Sequence, residues 1–234
     1  MIFEQAGFGT DASFVQAIFI GLINLFFTIL AILVIDKLGR KPLLVFGVSG
    51  IAIFMFLLAY SFNQATYKFS DEAVAYAVLE MSDVNFQSII DVEYPSEIEF
   101  NAALNSVLNG LQLQSHKSAI IKNSITMNTT MVLIALLGFV ASFAISLGPV
   151  MWVLFSELFP NHIRGIAISF VGLVNSAVSF LVQLVFPWEL GVLGSDITYL
   201  IYGLFALAGL IFIIKVVPET KGKSLEELEA QLVR

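Results

Sequence analysis

Five long windows of apolar residues alternate with short polar segments along the chain. Each window is close to the roughly 20 apolar residues that a helix needs to cross the hydrocarbon core of a bilayer. Barrel strands would instead be about 10 residues long, with strict alternation of apolar and polar positions. The pattern therefore predicts five membrane-spanning helices, at residues 14–35, 43–62, 131–155, 165–187 and 198–217.

A segment of different character, residues 63–125, separates the second and third windows and is called the insert below. It carries eight acidic residues against three lysines. Ser96 and Glu99 have the spacing of a capping box, which opens a helix. Apolar residues then recur on one face, and Gly110 is a candidate end of that helix. We expect a small, acidic and helical subdomain, with its apolar face at Phe100, Leu104, Val107, Leu108 and Leu111.

The basic residues indicate how the spans are oriented. Short loops rich in Lys and Arg stay in the cytoplasm. Eight of the eleven basic residues fall on the same side of five alternating spans. The C-terminus is therefore expected to be cytoplasmic and the insert extracytoplasmic. The eight are Lys37, Arg40, Lys41, Arg164, Lys215, Lys221, Lys223 and Arg234.

The composition excludes several classes of function. Hydrophobic residues make up 58% and charged residues 12% of the chain, whereas soluble domains average about 25% charged residues. A net charge of −7 argues against nucleic-acid binding. With no cysteine and two distant histidines, His116 and His162, we expect no metal site and no cofactor. The motifs of metalloproteases and serine hydrolases are missing, so an enzyme is not expected.

Three short motifs carry a resemblance to a known family. Residues 36–42 read DKLGRKP, residues 148–165 contain GPVMW, SELFP and RG, and residues 218–222 read PETKG. In this order they resemble the C-terminal half of the sugar porter family of the major facilitator superfamily, and the bacterial xylose and hexose–proton symporters in particular. Each motif also falls at the membrane face that the charge pattern predicts.

The resemblance implies an all-α integral membrane protein that corresponds to helices 8–12 of a twelve-helix transporter. Residues 1–62 would hold the outer end of helix 7 and helices 8–9. Residues 63–125 would be the insert, and residues 126–217 helices 10–12. Residues 218–234 would form a cytoplasmic tail helix, for which Ser224 and Glu227 supply a second capping box. The N-terminal half has no counterpart, so we expect a C-terminal fragment.

The resemblance further implies a charge latch between helix ends at the cytoplasmic face, which opens and closes during transport. A simpler interpretation is that the basic residues only anchor the loops by the positive-inside rule. The latch residues would be Asp36, Gly39, Arg40, Lys41, Glu157 and Arg164, accompanied by the family motif of Pro218, Glu219, Thr220, Lys221 and Gly222.

Candidate substrate-binding residues lie on three of the spans. Pro149 should break the third span, because proline removes a backbone donor and clashes with the preceding turn. Trp152 follows about one turn later and offers a flat apolar face and one N–H donor. The resemblance implies that Trp152 stacks on a sugar, with Asn175, Asn24 and Gly148 beside it. A supporting polar face would comprise Thr28, Ser179 and Gln183.

Each of these residues also has a structural interpretation. The proline kink can serve packing alone, and Trp152 can belong to an interfacial aromatic belt. Polar residues spaced four apart on the fourth span can join helices, at around 0.6 kcal/mol each.

We therefore expect transport of a monosaccharide, a pentose or a hexose, by alternating access in the plasma or inner membrane. Its partners would be the sugar, the lipid bilayer and the N-terminal half of the transporter. Proton-coupled symport is the favoured form. The five spans hold no acid at mid-membrane, so protons would couple through that other half. The alternatives are a sugar sensor on a transporter scaffold and a half-size remnant that is inactive alone.

Overall fold

The computed structural model describes residues 10–69, 88–108, 120–121, 123–223 and 227–228. Seven helices and three short strands are found in these residues. The helices are α1 (Thr10–Leu38), α2 (Arg40–Asn63), α3 (Glu97–Val107), α4 (Thr129–Ile145), α5 (Leu147–Leu158), α6 (Arg164–Leu193) and α7 (Ser195–Val216). The strands are β1 (Thr66–Lys68), β2 (Glu93–Tyr94) and β3 (Ile125–Thr126).

Five helical segments of the described residues are long and apolar enough to cross a membrane, which confirms the predicted number of spans. They are α2, α6, α7, the last 22 residues of α1, and α4 together with α5. The fourth span continues to Leu193, past its predicted end at Pro187. Membrane helices tolerate an internal proline where neighbouring groups satisfy the freed backbone.

The third span is interrupted at Ser146, between α4 and α5, with φ −126° and ψ −92°. The predicted position at Gly148 and Pro149 was two residues too late. Pro149 instead occupies the first turn of α5, where helix N–H groups lack intrahelical partners in any case. The fully buried Ser146 donates its hydroxyl to the Ser142 carbonyl at 2.6 Å, which satisfies one acceptor beside the break.

The chain divides into two compact units. The first comprises residues 1–19, 57–135 and 189–200, and the second residues 20–56, 136–188 and 201–234. The first unit holds the insert, which has its own apolar core around Tyr67, Phe100, Leu104 and Ile120. The core of the second unit contains Leu43, Leu44, Val48, Val150 and Leu154.

In its described residues the insert combines the helix α3 with a small sheet, whereas the sequence predicted a helical subdomain. Its helix α3 begins as predicted, since the Ser96 side chain accepts a hydrogen bond from the Glu99 N–H at 3.3 Å. The sequence analysis did not predict the antiparallel sheet, in which β1 lies between β2 and β3. Strands of two or three residues are too short to show alternation of apolar and polar positions.

Some predictions fall outside the described residues. These are the outer end of helix 7 at residues 1–9, Leu111 of the predicted apolar face of α3, and most of the tail helix. Helix α3 itself ends at Val107, three residues before its predicted end at Gly110. In the tail, Glu227 and Leu228 are described as helical, and Leu228 is buried.

Candidate functional site

The first motif places an arginine where it contacts two acids. Gly39 separates α1 from α2 with φ +100°, a conformation that glycine adopts without strain. Arg40 follows as the first residue of α2. Its Nη2 lies 2.7 Å from Oε1 of Glu157 at the end of α5, and its Nε lies 3.1 Å from each Glu157 oxygen. Its Nη1 lies 3.0 Å from Asp36 on the last turn of α1.

Burial divides this charge cluster into a strong and a weak pair. The side chains of Arg40 and Glu157 are 14% and 23% exposed, whereas that of Asp36 is 79% exposed. Bidentate charge-assisted hydrogen bonds are stronger than neutral ones. An exposed ion pair contributes about 0–1 kcal/mol. The bond between α2 and α5 therefore dominates the cluster.

The motif after the last span completes the cluster, and we call Arg40, Glu157, Glu219 and Thr220 the loop network. The buried Thr220 donates its hydroxyl to Glu157 Oε2 at 2.6 Å. The Glu219 carboxylate accepts the backbone N–H groups of Arg40 and Lys41, both at 3.1 Å. Glu219 thus caps the positive N-terminal end of α2. Sequence reasoning singled out these residues as a family motif and missed both contacts.

Two lysines strengthen the same contacts through backbone carbonyls. Lys41 Nζ donates to the Ile214 carbonyl at 2.8 Å, near the end of α7. Lys221 Nζ donates to the Lys37 carbonyl at 2.6 Å, in the last turn of α1. The loop network therefore joins the ends of α1, α2, α5 and α7 within the second unit. Pro218 and Gly222 flank it, and Gly222 has φ +73°.

Arg164 does not join the loop network, although the sequence predicted it as a latch residue. Its Nε donates to the Phe159 carbonyl at 3.2 Å, so it closes the turn between α5 and α6. Its Nη2 is buried and has no hydrogen-bond partner among the described residues.

Of the candidate substrate-binding residues, Trp152 is the most distinctive. It lies on α5, one turn past Pro149, and it is 43% exposed. Its indole contacts the Phe155 ring edge to face, with centroids 6.1 Å apart. Gly148 precedes it, and a Cβ there would lie 3.5 Å from the Phe143 carbonyl oxygen, an ordinary contact. The indole face is therefore available to a further ring or to lipid.

The amides predicted at the site are exposed as well. Asn24 on α1 accepts a hydrogen bond from the Thr28 hydroxyl at 3.2 Å. Asn175, Ser179 and Gln183 form an exposed stripe on α6. No residue in the most apolar window of α6 is buried. Among the described residues, Trp152, Asn24 and Asn175 make no hydrogen bond or ring contact with one another.

In the described part of the chain, no three His, Asp or Glu side chains cluster as metal ligands would. The candidate site consists of amides, hydroxyls and one indole on apolar helices. Neutral polar groups with an aromatic face suit a neutral hydroxylated ligand better than an ion.

Five apolar spans, one of them interrupted and with an exposed indole beyond the break, define a polytopic α-helical membrane protein. The sequence profile of the sugar (and other) transporter family matches residues 1–81 and 108–232. The chain belongs to this family.

Relatives give the match more detail. The chain is 33% identical over 235 residues to the D-xylose-proton symporter of Escherichia coli K12, covering 98% of this chain and 35% of that protein. It is 30% identical over 232 residues to the arabinose-proton symporter of Bacillus subtilis, covering 97% and 36%. The solved structure of the proton:xylose symporter XylE bound to 6-bromo-6-deoxy-D-glucose matches with a TM-score of 0.61 and 33% identity, over 96% and 36% of the two chains.

These matches also locate the chain within its relatives. It spans about a third of the length of the curated relatives and matches their C-terminal part. The predicted fold class, the C-terminal part of a major facilitator fold, is thereby confirmed.

Proposed function

We propose that the chain forms the C-terminal part of a membrane transporter for a monosaccharide, a pentose or a hexose, that works by alternating access. The observation that carries this proposal is the exposed Trp152 beyond the interruption of the third span. Interrupted helices recur at the binding sites of secondary transporters. Relatives named as xylose and arabinose symporters supply the class of substrate.

The binding site would use the indole of Trp152 as a stacking face, with Gly148 allowing close approach. Asn175 and Asn24 would hydrogen bond the sugar hydroxyls, and Thr28, Ser179 and Gln183 would support them. Polar groups in a membrane face the bundle interior or a cavity. The exposed stripe on α6 therefore supports a second helical body against it, the N-terminal half of the transporter.

The loop network would act as one side of a conformational latch. Its bidentate arginine pair is strong enough to hold helix ends and is placed at their loops. The buried, unpartnered nitrogen of Arg164 would receive an acceptor from the other half. The positive loops favour an orientation with this face in the cytoplasm and the insert outside, in the plasma or inner membrane.

Transport would be coupled to protons, as the names of the symporter relatives suggest. The coupling carboxylate would lie in the other half, because the five spans of this chain hold no acid at mid-membrane. The residue ranges 1–62, 63–125, 126–217 and 218–234 would then be helices 7–9, the insert, helices 10–12 and the tail helix. The transported sugar would leave chemically unchanged, since the relatives are transporters.

Uptake of radiolabelled D-xylose and D-glucose tests this proposal, in cells that lack their own uptake systems and express the complete gene of this chain. The chain offers a matched control, because its other tryptophan, Trp188 on α6, is also exposed. Trp152→Ala should weaken apparent sugar affinity about tenfold or more, equal to at least 1.4 kcal/mol. Trp188→Ala should leave it within about twofold. Equal effects of both variants, or no saturable uptake at all, would reject the proposed site.

A further inference from the structure

The insert lies between the second and third spans, and its sheet connects these two spans. Strand β1 starts three residues after α2 ends, and β3 stops three residues before α4 begins. The two strands are antiparallel partners, with Thr66 opposite Thr126 and Tyr67 opposite Ile125. The insert-side ends of the second and third spans are therefore joined by a backbone ladder.

A buried hydrogen bond connects the insert to the last span. Ser195, the first residue of α7, donates its hydroxyl to Glu97 Oε2 at 2.8 Å. Ser195 is 2% exposed and Glu97 8% exposed. Glu97 lies in the first turn of α3, so its carboxylate serves the N-terminal ends of two helices, which favour negative charge. A buried carboxylate held this way fixes the position of both helix ends.

Further contacts bring α7 to the end of α2 within the same unit. The rings of Phe62 and Tyr199 lie 5.3 Å apart between centroids. Asn63 Nδ2 lies 3.4 Å from Asp196 Oδ2. The ends of α2 and α7 are thus connected directly, and the ends of α2, α4 and α7 are all connected through the insert.

The insert has an apolar core, which holds its helix α3 against its sheet. Tyr67 of β1 stacks on Phe100 of α3, with ring centroids 5.6 Å apart, and Tyr94 of β2 meets Phe100 at the same distance. Phe100 and Leu104 are completely buried. The helix that carries Glu97 is therefore packed on the strand that continues from α2.

We propose that the insert is a permanent clasp, which holds the insert-side ends of α2, α4 and α7 as one body, with Glu97 as its positioning residue. The clasp itself follows from the contacts above. A second part of the proposal rests on the proposed function. The same three helix ends stay together while the transporter alternates between its two states, so the parts of the protein that open and close lie elsewhere.

Hydrogen exchange of the chain in lipid nanodiscs tests the clasp without any transport. Glu97→Leu removes the acceptor, and the exposed Glu99 of the same helical turn supplies the matched control, Glu99→Leu. Glu97→Leu should speed exchange of the α7 amides at 198–202 about tenfold, although the substitution lies almost 100 residues away. The control should leave them unchanged.

Milder variants cover the case in which Glu97→Leu does not fold. Ser195→Ala removes only the donor and should speed the same amides, while Glu97→Gln keeps an acceptor and should restore most of the protection. Unchanged exchange at 198–202 in a folded Glu97→Leu or Ser195→Ala protein would overturn the clasp.

A disulfide between β1 and β3 tests whether the clasp stays closed during transport. This chain has no cysteine, so within it Thr66→Cys with Thr126→Cys gives one pairing, between directly opposed residues of an antiparallel ladder. Any cysteine that the expressed gene encodes outside this chain is replaced by serine. Oxidised and reduced forms should take up sugar at rates within about twofold, because the clasp never opens. A large loss of sugar uptake on oxidation, reversed by reductant, would show that the clasp opens during transport. That result would overturn the proposal that the clasp is permanent. Absence of uptake in the unmodified protein contradicts the proposed function alone, and the exchange result still decides the clasp.

Discussion

Arg40 and Glu157 are 117 positions apart in the chain, yet the guanidinium donates to both carboxylate oxygens. Arg40 begins α2, and Glu157 ends the helix that follows the break in the third span. Both are mostly buried, and the Thr220 hydroxyl binds the same carboxylate. Removing one member of such a pair leaves the other charge without its partner, which costs more than the pair contributes.

Arg40→Ala should therefore destabilise the chain by about 2–4 kcal/mol, reduced from a fully buried pair by its partial exposure. Arg40→Lys should lose about half as much, because an ammonium keeps the charge and forfeits the bidentate geometry. Lys37→Ala, at an exposed residue of the preceding turn, is the control and should change little. Denaturant titration in detergent measures the difference. Equal stability of Arg40→Ala and Lys37→Ala would contradict the role given to the pair.

Variants of Thr220 distinguish the contribution of its hydrogen bond to stability from the contribution of its side-chain volume. Thr220→Val keeps the shape and removes the donor to Glu157, so a buried carboxylate oxygen loses a partner. The cost should be about 1–2 kcal/mol in thermal or denaturant unfolding. Thr220→Ser retains the hydroxyl and should recover most of it. If the serine variant is as unstable as the valine variant, packing of the methyl group is the dominant contribution.

A substitution at Gly39 tests the cap that Glu219 provides at the N-terminal end of α2. Its φ of +100° strains any L side chain, and a Cβ would approach Glu219 Oε2 to 2.6 Å. Gly39→Ala should cost about 1–3 kcal/mol, from backbone strain and displacement of the carboxylate. Gly209→Ala, in α7 with open space around it, is the control. A Gly39→Ala protein as stable as the control would show that the turn relaxes freely.

The break at Ser146 packs against a glycine of α2. A Cβ at Gly47 would collide with the Ser146 side chain and would come within 2.7 Å of the Ser142 backbone oxygen. Gly47→Ala should destabilise by about 1–3 kcal/mol through overpacking. Ser146→Gly should relieve part of that loss of stability. A double-mutant cycle should therefore measure a favourable coupling energy within the range of about 0.5–3 kcal/mol that contacting residues show. Purely additive effects would place the two residues out of contact.

The insert should lose stability at high pH. Burial raises the pKa of Tyr67 well above its usual range, and the nearby Glu97 and Asp196 carboxylates raise it further. The neutral phenol is fully present below the unfolded pKa of about 10. Above it, the unfolded chain releases a proton that the folded insert retains, so stability falls by up to about 1.4 kcal/mol per pH unit.

Melting temperatures between about pH 9 and 11 measure this effect, since the unfolded phenol titrates near 10. Tyr67→Phe should flatten the decline, whereas Tyr60→Phe, at an exposed tyrosine, should keep the slope of the natural chain. Identical slopes in all three proteins would assign the alkaline loss to other groups.

The sequence predicted those features that depend on local pattern. Long apolar windows indicated the five spans, and the spacing of Ser96 and Glu99 indicated the start of α3. Arg40 and Glu157 were selected by resemblance to a family, and the structure brings them together. Their contact depends on how helices pack, which a periodicity along one helix does not encode.

Features set by tertiary contacts were missed for the same reason. Ser195 and Glu97 lie 98 positions apart, and neither belongs to a motif. Strands of two or three residues exist because their partners are held near them by α2 and α4. Pro149 marked a break correctly, but its fit to the first turn of a new helix moved that break to Ser146.

The uncovered state of α6 has a consequence for the life of the polypeptide in a cell. In a bilayer, a span with an exposed stripe of amides and hydroxyls, here Asn175, Ser179 and Gln183, is unfavourable until protein or a water-filled cavity covers that stripe. Expressed by itself, the chain should therefore accumulate in a membrane to a lower level than when further helices cover the stripe.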